Sequence, residues 1–326
     1  MKFLLILSIP LMLTNCHKEK ATAQDTSVFD TSVSCPESID SLYKFPEPDG
    51  LELDFGDHWL NDTLFQYPSF NPNNSSEISY VEQLVGGAAR LMKYDLKTNT
   101  KTVLRNELIL AEQPVWCSNN WSYFMGYGQN MVRVNMNTGE LNMLTNINKD
   151  RSITSNIETG QFTFLRYMNS TTVFKIMSTS SGDDFDTIPQ IVSGDWVGNL
   201  MAGGEGYGSI VTLFPNSQVS EVLHSFPTEI GYSLNDIKIH PNKIDIYASC
   251  WFKDGIYKIN RNTKQLTIVK RGDNNCWYDT FSISQDGKSI VFEKVLMEIQ
   301  NWNQVFSKRE VWIMDIDGCN ERKLNL

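Results

Sequence analysis

The run from Tyr278 to Leu326 reads YDTFSISQDGKSIVFEKV, then a polar spacer, then REVWIMDIDGCNERKLNL. Phe281 and Ile283 alternate with Ser282 and Ser284, the period-2 pattern of a half-buried strand. Asp286-Gly287 supplies the positive φ of a tight hairpin, and Ser289 to Glu293 returns as a second strand. Glu310 to Asp315 forms a third, Asp317-Gly318 turns again, and Lys323-Leu324 begins a fourth. Four antiparallel strands in about fifty residues make one propeller blade.

The third strand and its turn recur upstream as LMKYDLKTNTKTVL (91–104), MVRVNMNTGELNML (131–144), TVFKIMSTSSGDDF (172–185), SIVTLFPNSQVSEVL (209–223) and GIYKINRNTKQLTIV (255–269). The equivalent apolar positions Tyr94, Val134, Ile176, Leu213, Ile259 and Met314 lie 37 to 55 residues apart, near the forty residues of a four-stranded blade. First hairpins precede them, with turns at Asn73-Asn74, Asn119-Asn120, Thr159-Gly160, Asn242-Lys243 and Asp286-Gly287. All are turn-forming residue types. The fourth unit, SGDWVGNLMAGGEGYGSI, is glycine-rich and shows no clear first turn. The expectation is an all-β, six-bladed propeller of four-stranded antiparallel blades over residues 51–326. Whether a strand near Leu51–Phe55 closes the ring stays open.

FSISQDGKSIVF and EVWIMDIDGCNERKLN resemble the PD40, or WD40-like, repeat of TolB-type β-propellers. The resemblance covers about residues 62 to 326 and is most specific in the last two blades. TolB proteins have an α/β domain before the propeller, for which the segment ahead of residue 51 is too short.

At the N-terminus Lys2 precedes an apolar run, Phe3 to Leu13, too short to span a bilayer. Leu13-Thr14-Asn15-Cys16 resembles a bacterial lipobox, with Asn15 where Gly, Ala or Ser is usual. The resemblance implies a signal peptide over residues 1–15, acylation at Cys16 and permanent anchoring by several acyl chains. It implies a lipoprotein of a Gram-negative outer membrane, facing the periplasm or the cell surface. Residues 16–50, rich in Lys, Glu, Thr, Ser, Asp and Ala, read as a flexible tether. Five further cysteines, Cys35, Cys117, Cys250, Cys276 and Cys319, are an odd number, against a complete disulfide framework. Cys250 with Cys276 is one pairing to consider, against buried thiols throughout.

A formal charge of −10 disfavours nucleic acid as a partner. There is no GxSxG elbow, no HExxH and no paired CxxC. The four histidines leave little for a metal or catalytic centre, so no catalytic residue, metal or cofactor is expected. Asp315-Ile316-Asp317-Gly318 has the start of a calcium loop without its later ligands. Binding candidates come from the loops that lead into the innermost strands of a propeller. These place Asp195, Trp196, Asn235, Asp236, Trp277, Tyr278 and Asp279 at one channel mouth. Aromatic rings beside carboxylate or amide groups suit sugars or peptides, unless the Asp side chains cap backbone and the rings pack between blades. The expectation is a membrane-anchored, non-catalytic binding or scaffolding module for a protein or glycan. The alternative is a glycoside lyase or hydrolase using funnel carboxylates such as Asp236 and Asp279.

Overall fold

Alternating strands joined by Asx-type turns give a ring of antiparallel sheets. The structure is a computed structural model. It describes residues 53–54, 63–85, 88–108, 113–126, 130–144, 150–159, 161–168, 171–177, 184–188, 192–205, 209–214, 219–225, 234–250, 255–272, 276–300 and 303–326. The chain divides into two units, Met1–Val33 and Ser34–Leu326, and every described residue belongs to the second. The expected signal peptide, Cys16 and the whole tether, residues 16–50, lie outside the described residues.

Strand β1 (Leu53–Asp54) precedes the first blade, which consists of β2 (Leu64–Asn71), β3 (Asn74–Gln83), β4 (Ala89–Asp95) and β5 (Thr100–Leu108). The second consists of β6 (Val115–Trp116), β7 (Trp121–Gly126), β8 (Asn130–Asn135) and β9 (Leu141–Met143), and the third of β10 (Asp150–Ser155), β11 (Phe162–Met168), β12 (Thr171–Met177) and β13 (Asp184–Ile188). The fourth has β14 (Val192–Val197), β15 (Leu200–Glu205), β16 (Ser209–Phe214) and β17 (Val219–Ser225). The fifth has β18 (Leu234–Ile239), β19 (Asp245–Cys250), β20 (Gly255–Asn260) and β21 (Leu266–Lys270). The last sheet holds β22 (Cys276–Ile283), β23 (Ser289–Gln300), β24 (Asn303–Asp315) and β25 (Arg322–Lys323), and β1 joins it.

The expected six four-stranded blades are thereby corrected. Among the described residues five blades have four strands, and the last sheet has five, its outer position split between two short strands. β25 pairs antiparallel with Trp312 and Ile313, while β1 pairs parallel with Gln304 and Val305. The physical reason is the long β23–β24 hairpin, which pairs from Ser289↔Asp315 to Gln300↔Asn303 with one register shift between Leu296 and Met297, and offers more edge than one two-residue strand covers. The question left open at Leu51–Phe55 is answered: Leu53–Asp54 is a strand of the last sheet. The innermost strands β2, β6, β10, β14, β18 and β22 each touch the next, and β22 touches β2, so the circuit closes.

The fourth blade is regular where its sequence looked degenerate. Val197↔Leu200 closes a two-residue hairpin at Gly198-Asn199, and Gly198 has φ of 60°. A Cβ on Gly198 would come within 2.7 Å of both Glu158 Oε2 and Lys243 Nζ, which form an ion pair across this turn.

The core lies between blades. Tyr94 packs in a cluster from the first blade and last sheet, Val134 in one from the first and second blades, and Ile259 in one from the fourth and fifth. Tyr94, Val134, Ile259 and Met314 are all buried.

The outer turns repeat one device. Asp95 Oδ1 accepts Lys97 N–H and Thr98 N–H at 2.8 and 3.0 Å. Asn135 Oδ1 does the same for Asn137 and Thr138, and Asn260 Oδ1 for Asn262 and Thr263. The next residue, Asn99, Gly139 or Lys264, takes positive φ. This Asx-turn explains why the sequence writes Asp or Asn three residues before Thr. At Gly139, φ is +73° and a Cβ would lie 2.2 Å from the Leu104 carbonyl oxygen. Gly139→Ala is expected to cost about 2–3 kcal/mol and to lower Tm by about 5–10 °C. Asn99→Gly, at the equivalent position, should melt within about 2 °C of wild type. Thermal melts followed by circular dichroism check both.

Candidate functional site

The first-hairpin turns join into a belt around one mouth of the channel. Asn73 Nδ2 donates to Ser118 O, Ser118 N and Oγ donate to Ile157 O and Glu158 O, and Asn156 exchanges hydrogen bonds with Gly198. His240 Nε2 meets Gly287 O at 3.0 Å. Inside this belt the C-terminal halves of innermost strands line a small open pocket of about 30 Å³. Asp195, Lys238, Ser69, Gln113, Ser282 and Gln285 supply its polar wall, and Phe70, Pro72, Pro114 and Ile283 part of its apolar wall.

Asp195 reaches this cavity from β14, but its Oδ2 also accepts Ile239 N–H of the next blade at 2.7 Å. Asp236 repeats the arrangement one blade on. Its Oδ2 accepts Phe281 N–H at 3.0 Å, and its Oδ1 accepts Ile237 N–H and the Lys238 ammonium at 2.9 and 2.7 Å. Ser282 Oγ accepts Phe70 N–H at 3.1 Å, the same task between the last sheet and the first blade. Both carboxylates therefore fasten neighbouring inner strands. Burial raises the pKa of Asp195 to about 6 against the opposing pull of Lys238, and it raises that of Asp236 against the same lysine.

The aromatic members of the sequence-derived set are packed. Trp196 donates its indole N–H to Gly198 O at 2.8 Å, within its own hairpin. Tyr278 lies edge-on to Phe292, centroids 5.3 Å apart, and donates its hydroxyl to Arg271 O. Trp277 is buried on β22 opposite Val295.

Asn235 and Asp279 do come together, toward the N-terminal ends of β18 and β22. Asn235 Nδ2 donates to Asp279 Oδ1, and Asp279 Oδ2 accepts Arg309 Nη1 at 2.7 Å. Arg309 Nη1 also donates to Glu293 Oε1, whose Oε2 accepts Tyr67 N–H and the Thr280 hydroxyl, each at 3.2 Å. Glu293 is fully buried. Burial raises its pKa to about 7, with Arg309 opposing and the Asp279 charge adding. Burial alone would lower the Arg309 pKa, but Glu293 and Asp279 hold it above its ordinary value. Tyr67, whose N–H closes this network onto the first blade, has φ of 55° before Pro68. A non-glycine residue held there is strained.

Sequence reading missed Glu293, Arg309, Tyr67 and Lys238. One signal was available: Glu293-Lys294 interrupts the apolar run Ile290-Val291-Phe292…Val295-Leu296 on a central strand. Charges there need partners. The cysteines also differ from the pairing considered: Cys117 and Cys276 are buried thiols, and Cys319 is disulfide-bonded. At the calcium-like turn, Asp315 Oδ2 accepts the Asn320 amide and Asp317 Oδ1 accepts Cys319 N–H.

No protein-family model matches the sequence, and no curated protein matches it. Solved structures do. A putative TolB from Agrobacterium tumefaciens is 12% identical, with a TM-score of 0.56 over 71% of this chain and 86% of that one. The β-propeller domain of a Pyrococcus furiosus protease, described as having an open velcro topology, is 12% identical, with a TM-score of 0.53 over 82% and 97%. An oligogalacturonate lyase solved with manganese is 10% identical, with a TM-score of 0.51 over 80% and 76%. At these identities the likeness establishes the fold alone: an all-β propeller of four-stranded antiparallel blades.

Proposed function

We propose that the chain is a membrane-anchored binding or scaffolding propeller of the cell envelope, held by a lipid on Cys16 and non-catalytic toward a protein or glycan ligand at its channel. One observation carries this reading. Asp236 and Asp279, the carboxylates a glycoside lyase or hydrolase would use, are committed to Phe281 N–H and Lys238, and to Asn235 and Arg309. A general acid or base must reach substrate in the required protonation state, and groups locked in this way do not.

The test uses a Cys16→Ser form, which should move to the soluble fraction, on glycan and peptide arrays. Two variants locate the site along the axis. Gln285 is exposed on the belt side of the cavity, whereas Asn235 lies toward the opposite end of its strand. Gln285→Ala should weaken binding of the array hit about tenfold, a loss of roughly 1.4 kcal/mol, with Tm unchanged. Equal weakening by Asn235→Ala alone would move the ligand to the far mouth. Retention of no glycan or peptide, or full binding by both variants, would end the channel-binding reading. A Cys16→Ser protein that stays with membranes would end the anchor.

A further inference from the structure

Two clusters of buried charge sit on the seams that join the fourth, fifth, last and first units of the ring. In the first, Asp195 and Asp236 face one cation, Lys238. In the second, Asp279 and Glu293 share one cation, Arg309. Ser249 joins them, accepting Asp236 N–H and donating its hydroxyl to Asp279 O at 2.8 Å. Other polar groups around them are the buried Cys117 thiol beside Asp195, Ser69, Gln113, Ser282 and Gln285 in the pocket that Asp195 and Lys238 line, and Asn235, Thr280 and Tyr67 in the second cluster. Each cluster therefore sets two carboxylates against one cation. All four carboxylates are at most 8% exposed, so water does little to stabilise the surplus charge.

We propose that each cluster takes up one proton as the pH falls from mildly basic to mildly acidic, so that the blade seams act as a pair of proton-binding sites whose charge state sets how firmly the ring is held. The proton of the first cluster goes to Asp195 and that of the second to Glu293, the most deeply buried carboxylate in each. The raised pKa values of both groups agree with this placement. A protonated carboxyl keeps a carbonyl oxygen to accept Ile239 N–H or Tyr67 N–H, so the seam stays closed and loses only its excess charge. The remaining seams differ. Among the described residues, the belt contacts across them join neutral groups, Asn73 to Ser118, Ser118 to Ile157 and Asn156 to Gly198.

The direction follows from linkage. A carboxyl whose folded pKa lies above its unfolded value contributes stability that is fully present below the unfolded value. That stability is lost as pH rises through the folded value. For these two groups the loss falls between about pH 4 and pH 7, from the unfolded to the folded values.

The experiment measures Tm of the full chain in detergent from pH 5 to 8.5, with amide hydrogen exchange corrected for its intrinsic base catalysis. Wild type should lose several degrees across this range. Exchange at Tyr67 and Ile239 should rise about tenfold relative to Ile157 and Gly198 between pH 5 and 7. Glu293→Gln and Asp195→Asn should each flatten the slope, the double variant should abolish it, and Glu293→Gln should melt above wild type at pH 8. A flat wild-type profile, or a slope that both variants leave intact, overturns the proposal. Should Glu293→Gln fail to fold, carboxyl carbon titration of wild type by NMR decides. A midpoint below pH 5 for either Glu293 or Asp195 refutes it.

Discussion

Replacing Arg309 by leucine is expected to strip cooperative folding from the ring at pH 8. The guanidinium is the partner of both Asp279 and Glu293, and Glu293 is wholly buried. Removing it leaves two carboxylates a few ångströms apart with no opposing charge in the network. Breaking a buried pair from one side costs about 3–5 kcal/mol, because the remaining ion is stranded. That is a large share of the roughly 5–15 kcal/mol that holds an ordinary domain. The same network supplies the acceptor for Tyr67 N–H, so the strained turn before Pro68 loses its support as well. Acid should partly rescue the variant, since protonating Glu293 removes one stranded charge. Denaturant melts at pH 5.5 and pH 8 provide the check. Arg309→Leu should be nearer to wild type at the lower pH, and equal destabilisation at both would show that the lost packing, not the charge, dominates.

Val134→Asp is the second large effect. Val134 is fully buried among Val81, Leu91, Trp116 and Phe124, between the first and second blades. A carboxylate there loses the apolar burial of valine and finds no described cation in its cluster. An unpaired buried charge costs several kcal/mol and falls in the exceptional class above about 4. The variant should show no native near-ultraviolet circular dichroism at 25 °C. Val134→Ala removes only two methyl groups and should cost about 2 kcal/mol, leaving a folded protein with a lower Tm. A normal melt for Val134→Asp would mean that Val134 does not face the neighbouring blade.

Strands, turns and blade period were legible because each has a local cause. Period-2 alternation selects strand wherever one face is buried, and Asp, Asn or Gly at fixed offsets closes each turn on its own backbone. The Asx-turns at Asp95, Asn135 and Asn260 form between residues two or three apart, so their cause is complete within the motif. The first turn of the fourth blade escaped because Gly198-Asn199 is only two residues long inside a glycine-rich run. The fifth strand of the last sheet was not legible because Leu53–Asp54 lies some 250 residues in sequence from its partner, Gln304–Val305.

The candidate residues were legible as a set but not as a task. Sequence placed Asp195, Asn235, Asp236 and Asp279 in the loops that lead into the innermost strands, because the repeat fixes which strand is innermost; the structure puts them on those strands. It left their partners open, and the partners decide the chemistry. Asp236 meets Phe281 N–H 45 residues on, and Glu293 meets Tyr67 N–H 226 residues back. Alternation tells which face of a strand a side chain occupies, but not its height along the ring axis or which neighbour stands at that height. Those follow from blade stagger and from the closing of the circuit by β22 against β2. The sequence alone therefore determined an all-β chain of repeating antiparallel units with its apolar faces between blades. Only the tertiary structure decided that its inner carboxylates fasten one blade to the next, because a buried charge takes its role from whatever cation and N–H groups the closed ring brings within reach.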